Sequence, residues 1–145
     1  MFVNKHSITG RIFISKVTGL LIGVLALLVL PLIPVETSLE FKIGFVLLIV
    51  TMGAMIGFIG MYERHPLFPS MKMPWWVRGP MVGVLFFLLM VLLAKDAMVP
   101  FMSMDLVTWS GLTSPYWALL DGAFLGGVMG YITTKICGEG NLPLE

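Results

Sequence analysis

Charge is the first thing this sequence is short of. Charged residues make up 12% of the 145, about half the roughly 25% typical of soluble globular domains. The chain has one cysteine, which excludes an internal disulfide framework and any cysteine-rich metal site. It has two histidines, His6 and His65, and no ligand spacing of the zinc type. No glycine-rich phosphate loop follows a strand pattern, because no strand pattern exists. Tracts rich in Ser, Gln or Glu are absent too, which confines disorder to the termini. Catalytic chemistry, a cofactor and nucleic-acid binding are therefore not expected; the basic residues are scattered rather than gathered on one face.

What the chain does have is apolar length: 58% of its residues are hydrophobic. Four apolar runs, at about 12–30, 43–62, 75–94 and 115–136, reach the 20 or so residues that a helix needs to cross a bilayer. They do not alternate as barrel strands would, and lipid leaves an open backbone no hydrogen-bond partner. The expected fold is an all-α integral membrane protein: one domain over 1–145 with four transmembrane helices. Lys5, Arg11 and Lys16 before the first run resemble the start of a secretory signal, but no small-x-small cleavage site follows. The first run is expected to remain as a helix.

Four spans place the amino terminus, the middle loop and the carboxyl terminus on one side. That side would hold Lys5, Arg11, Lys16, Arg64, Lys72, Arg78 and Lys135; the other would hold Lys42 and Lys95. The positive-inside rule then puts both termini in the cytoplasm, with a bacterial inner membrane as the default. Arg11 and Lys16 are expected to snorkel to lipid headgroups. Trp75 and Trp76 read as an interfacial anchor. The apolar stretch 98–114 is expected to lie in the outer interface as a short helix, or to fold back over the bundle.

Small residues recur at spacings of three and four on every helix: Gly19 and Gly23; Gly53, Gly57 and Gly60; Gly79 and Gly83; Gly122, Gly126 and Gly130. Such stripes let helix backbones approach closely where lipid supplies no hydrophobic drive. They lie toward the cytoplasmic half in the first three helices, so the bundle should be tight there and wider outside. Part of this small-residue surface is also a candidate face for self-association. An internal duplication is also legible. Helices 1 and 3 align at an offset of 60, Gly19 and Gly23 matching Gly79 and Gly83. Helices 2 and 4 align at 69, Gly53 and Gly57 matching Gly122 and Gly126. Two tandem hairpins would share one orientation, related by an axis along the membrane normal.

Asp121 is the one acid inside an apolar run and the candidate ion or proton site. The same residue near the amino end of a late-starting helix would be an ordinary solvated carboxylate. Glu63, Arg64 and His65 form the densest polar cluster, a candidate cytoplasmic contact or simply a charged helix end. Met98, Met102 and Met104 form an outer thioether cluster; such ligands select Cu(I), although methionine, with 12 copies here, is also a common apolar filler. Cys137 and His6 stand alone. Two functions fit. One is a structural or accessory subunit, associating with itself or other membrane subunits in the bilayer through glycine-rich faces. The alternative is an oligomeric channel or transporter for a small ion with Asp121 near the outer mouth. No helix is expected to be discontinuous, as transporter helices often are.

Overall fold

The computed structural model describes residues 7–33, 35–62, 64, 70 and 72–139. His6, Glu63 and His65 lie outside the described residues. Five helices follow one another: α1 (Ile8–Val29), α2 (Leu39–Ile59), α3 (Trp75–Met102), α4 (Asp105–Ser110) and α5 (Ala118–Cys137). Short 3-10 turns at Leu30–Leu32 and Pro115–Trp117 end α1 and lead into α5. Among the described residues no strand forms, and Arg64 and Lys72 make an isolated bridge.

Local chemistry sets the ends. Ser7 caps α1 by accepting from the Gly10 amide at 3.0 Å, and Ser38 caps α2 by accepting from the Phe41 amide at 3.1 Å. Each satisfies one of the amides that a helix start leaves without a partner. At the other end of α5, Gly138 turns the chain with φ +81°, a conformation that costs glycine nothing.

Three of these helices are long and apolar enough to cross a membrane: Ile8–Leu32 with its 3-10 turn, Leu39–Ile59, and Trp75–Met102. The fourth long helix, α5, has 20 residues but carries four glycines, Thr133, Thr134, Asp121 and Lys135. It is less apolar than the rest. The helix starts also differ from those expected. α2 begins at Leu39 because Ser38 caps it, and α5 begins at Ala118 because Pro115 opens a 3-10 turn first. The largest difference is in α3. The apolar run was expected to stop at Lys95 and Asp96, yet the helix runs on to Met102. A break in helical backbone falls at Ala94 (φ −127°, ψ 30°), and Pro80 and Pro100 both lie inside it. One helix is thus discontinuous after all, at the place where the apolar run ends.

The helices pair as hairpins, α1 with α2 and α3 with α5. The buried residues of α1 are Arg11, Ser15, Gly19 and Gly23, with Gly10 beside them, a seam at every fourth position. The closest approach is between α3 and α5. A Cβ on Gly83 would collide with the Gly122 carbonyl, and one on Gly126 with the Gly79 carbonyl. Between α1 and α2, a Cβ on Gly53 would strike the Ser15 carbonyl, and one on Gly19 would stand 2.7 Å from that of Ile49. These glycines all meet backbone of the same chain.

The two hairpins cross in different registers under the offsets of 60 and 69. Those offsets make Gly79 against Gly126 the counterpart of Gly19 against Gly57. Gly19 instead meets Ile49 and Val50, while Gly57 meets Arg11 and Ile12, about two helical turns away. Where the hairpins face each other, Ile49, Met52, Ile56, Val82, Phe87 and Met129 form the core. Around the outside, large apolar side chains such as Leu21, Leu25, Leu93 and Phe124 stand exposed. An apolar exterior of this extent belongs against lipid or another apolar surface.

Candidate functional site

The up-down-up-down path gathers the start of α1, the end of α2, the start of α3 and the end of α5 at one end. Arg11 and Arg78 are buried there, 3% and 2% exposed. Arg78 donates through Nη1 to the Tyr62 carbonyl at 2.7 Å and through Nη2 to Glu139 Oε2 at 2.8 Å. Arg11 donates through Nη1 to the Gly138 carbonyl at 2.7 Å and, more weakly, to that of Cys137 at 3.5 Å. The Cys137 and Gly138 carbonyls stand at the end of α5, where a helix dipole favours a cation, and Tyr62 follows the end of α2. One turn further in, Ser15 and Thr133 share a hydrogen bond of 2.6 Å between α1 and α5. A void of about 10 Å³ lies between the guanidiniums, bordered by Gly60, Thr133 and Thr134, with room for about one water. Arg11 Nε and Nη2 have no hydrogen-bond partner there.

The snorkelling expected of Arg11 is corrected by this arrangement. Arg11 sits on the four-residue seam of Ser15, Gly19 and Gly23, so the helix turns it inward with the small residues. Lys16, off that seam, is exposed. The helical phase of Arg11 carried the signal; its place near the chain's start pointed the other way. Arg78 shares the inward face of Gly79, Val82 and Gly83 in the same manner.

The opposite end is built differently. Past Ala94, the last turns of α3 carry Met98, Phe101 and Met102 beside the starts of α2 and α5. A cavity of about 390 Å³ lies there. α1 contributes Ala26, Leu27 and Val29; α2 contributes Phe41, Lys42 and Phe45; α5 contributes Ala118, Asp121 and Leu125. Phenylalanine rings hold the side between α2 and α3. Phe41 lies 5.6 Å from Phe101, and Phe45 meets Phe87 edge-on at 6.5 Å, measured between centroids. Further along the helices, Ile49, Met52 and Met129 are 0% exposed and close the bundle.

The cavity brings together candidates that the sequence left apart. Asp121 lies in the first turn of α5, exposed at the cavity's rim. Met98, Met102 and Met104 line the same space, with Met90. Aromatic rings are interleaved with these thioethers, and among the described residues no group of three or more His, Cys, Asp or Glu forms a metal site. Lys42 was missed as a candidate. It shares a stripe with Phe45, Ile49, Met52 and Ile56, at helical spacing, and that phase turns a lysine toward the interior. Asp121 and Lys42 are the charged residues of the lining. Arg64 is exposed. Cys137 is buried at the end of α5.

No protein-family model, no curated protein and no solved structure matches this chain. Its function is therefore argued from the two ends of the bundle alone.

Proposed function

We propose that the protein is a small accessory membrane subunit without catalysis of its own. It spans the bilayer four times with both termini in the cytoplasm, in a bacterial inner membrane, and it binds an apolar, membrane-resident molecule in its outer cavity. The cavity carries this reading. Its size falls within the 300–1,000 Å³ of small-molecule sites, and it has their composition of apolar and aromatic walls with few polar groups. The arginine end supports the orientation, since it gathers Arg11, Arg78 and the basic side of the chain.

Photolabelling tests the binding. The protein would be reconstituted with a phospholipid bearing a diazirine midway along one acyl chain, irradiated, and mapped by peptide mass spectrometry. Labelling of Phe87, Met90 and Met98, which are buried from bulk lipid, is expected, and loss of it in Ala26→Phe, which fills the cavity. Labels confined to outward residues such as Leu93 and Phe124 would overturn the reading.

The second reading, an ion pathway, draws on Asp121 at the rim. The bundle closes past the cavity at Ile49, Met52 and Met129, so such a pathway would need several copies of the chain. A homo-oligomeric mass by native mass spectrometry, with vesicle flux that Asp121→Asn abolishes, would favour it over the accessory reading.

A further inference from the structure

The two charges of the cavity are placed alike. Lys42 lies one turn into α2, whose first residue is Leu39, and Asp121 lies in the first turn of α5. Both helices begin at this end, so both charges sit at one depth, near the bundle's edge. Exposed aromatic residues surround that level: Trp109 is 85% exposed, and Tyr116 and Trp117 are also exposed. Tyrosine and tryptophan mark the boundary between hydrocarbon and headgroups. The rest of the lining is apolar, Leu27, Phe45, Phe87, Met90 and Leu125 among it. At about 30 Å³ for each water-sized group, the cavity holds on the order of a dozen methylenes, the bulk of one acyl chain.

We infer that the occupant is a phospholipid of the outer leaflet whose zwitterionic head ends in a primary ammonium. This rests on the binding reading above and adds the class of ligand. One acyl chain fills the cavity. The phosphate meets Lys42, where the amino-terminal dipole of α2 adds positive potential. The ammonium meets Asp121 with a charge-assisted hydrogen bond. A quaternary ammonium has no N–H to donate, and a glycerol head has no cation, so neither head matches the pair.

Native mass spectrometry of the whole protein, freed of lipid, tests this by titration. The probes are phosphatidylethanolamine, phosphatidylcholine and phosphatidylglycerol with identical acyl chains. The expected result is one ethanolamine lipid per chain, held at least about tenfold more tightly than the other two, as one extra charged hydrogen bond implies. Lys42→Gln should weaken all three lipids. Asp121→Asn should remove the preference, weakening the ethanolamine lipid most. Both side chains lie at the rim, so both variants should fold. Equal affinities for the three heads, untouched by Lys42→Gln and Asp121→Asn but lost in Ala26→Phe, would overturn the headgroup inference and leave the cavity reading standing. The absence of any adduct that Ala26→Phe removes would overturn both.

Discussion

The arginine end and the cavity end of this bundle contain the same helices packed by different means. Along the α3–α5 seam, glycines bring backbone against backbone up to Gly83 and Gly122, close to the cavity's rim, and at the arginine end two buried guanidiniums bind helix ends and tail into one polar cluster. At the cavity end, phenylalanine and methionine hold the helices apart and leave about 390 Å³ between them. Small side chains at four-residue spacing give contact; large, adaptable ones give room. The difference teaches that in a thin four-helix bundle an interior site requires giving up close packing somewhere. Here the loss at one end is set against a clamp at the other.

Substitutions in the α3–α5 seam should cost the most. In Gly83→Ala the added methyl meets the Gly122 carbonyl, which cannot rotate away, so the helices must part. About 3 kcal/mol of stability should be lost, the upper range for overpacking, read by reversible unfolding in mixed micelles. If Gly83→Ala were as stable as the parent, the close approach of α3 and α5 would be wrong. Arg78→Met is next. It strands the Tyr62 carbonyl and frees Glu139, which is 48% exposed and returns to water. A loss of about 2 kcal/mol is expected, chiefly the unsatisfied carbonyl. Arg11→Met should cost less than Arg78→Met in the same assay, because two of the Arg11 nitrogens already lack partners; the reverse order would show that the void at Arg11 supplies them. Ser15→Ala removes one neutral hydrogen bond to Thr133 and should cost about 1 kcal/mol. On the exposed side of α2, a Cβ on Gly44 would meet no atom within 4 Å. Gly44→Ala should therefore be neutral or stabilising by up to about 1 kcal/mol, through the entropy of the unfolded chain. A cost at Gly44 like that at Gly83 would erase the contrast between the seam and the open face.

Much of the helical layout was legible because apolar length and glycine spacing are local properties. The pairing of glycines across helices was less so. The offsets of 60 and 69 matched residue types, but register depends on how far one helix slides along another, and Gly19 meets Ile49 rather than Gly57. The two sites were legible in pieces. Asp121, Met98, Met102 and Met104 stood out by type, while their convergence on one cavity depends on the last turns of α3, beyond the break at Ala94. Arg11 and Lys42 were hidden by an expectation about charge near helix ends. Their helical phase, shared with Ser15 and Gly19 in one case and with Phe45 and Ile49 in the other, held the better clue.

The clamp at Arg11 has a consequence in time. Arg11 and the Gly138 carbonyl that receives it are 127 residues apart. At the roughly 5–20 residues per second of ribosomal synthesis, about 6 to 25 seconds separate the making of the one from the other. Through that interval the nascent α1 carries a guanidinium whose acceptors do not yet exist, a charge that an apolar helix holds cheaply only at the bilayer surface. Burial of that guanidinium therefore belongs to the finished chain and not to the growing one.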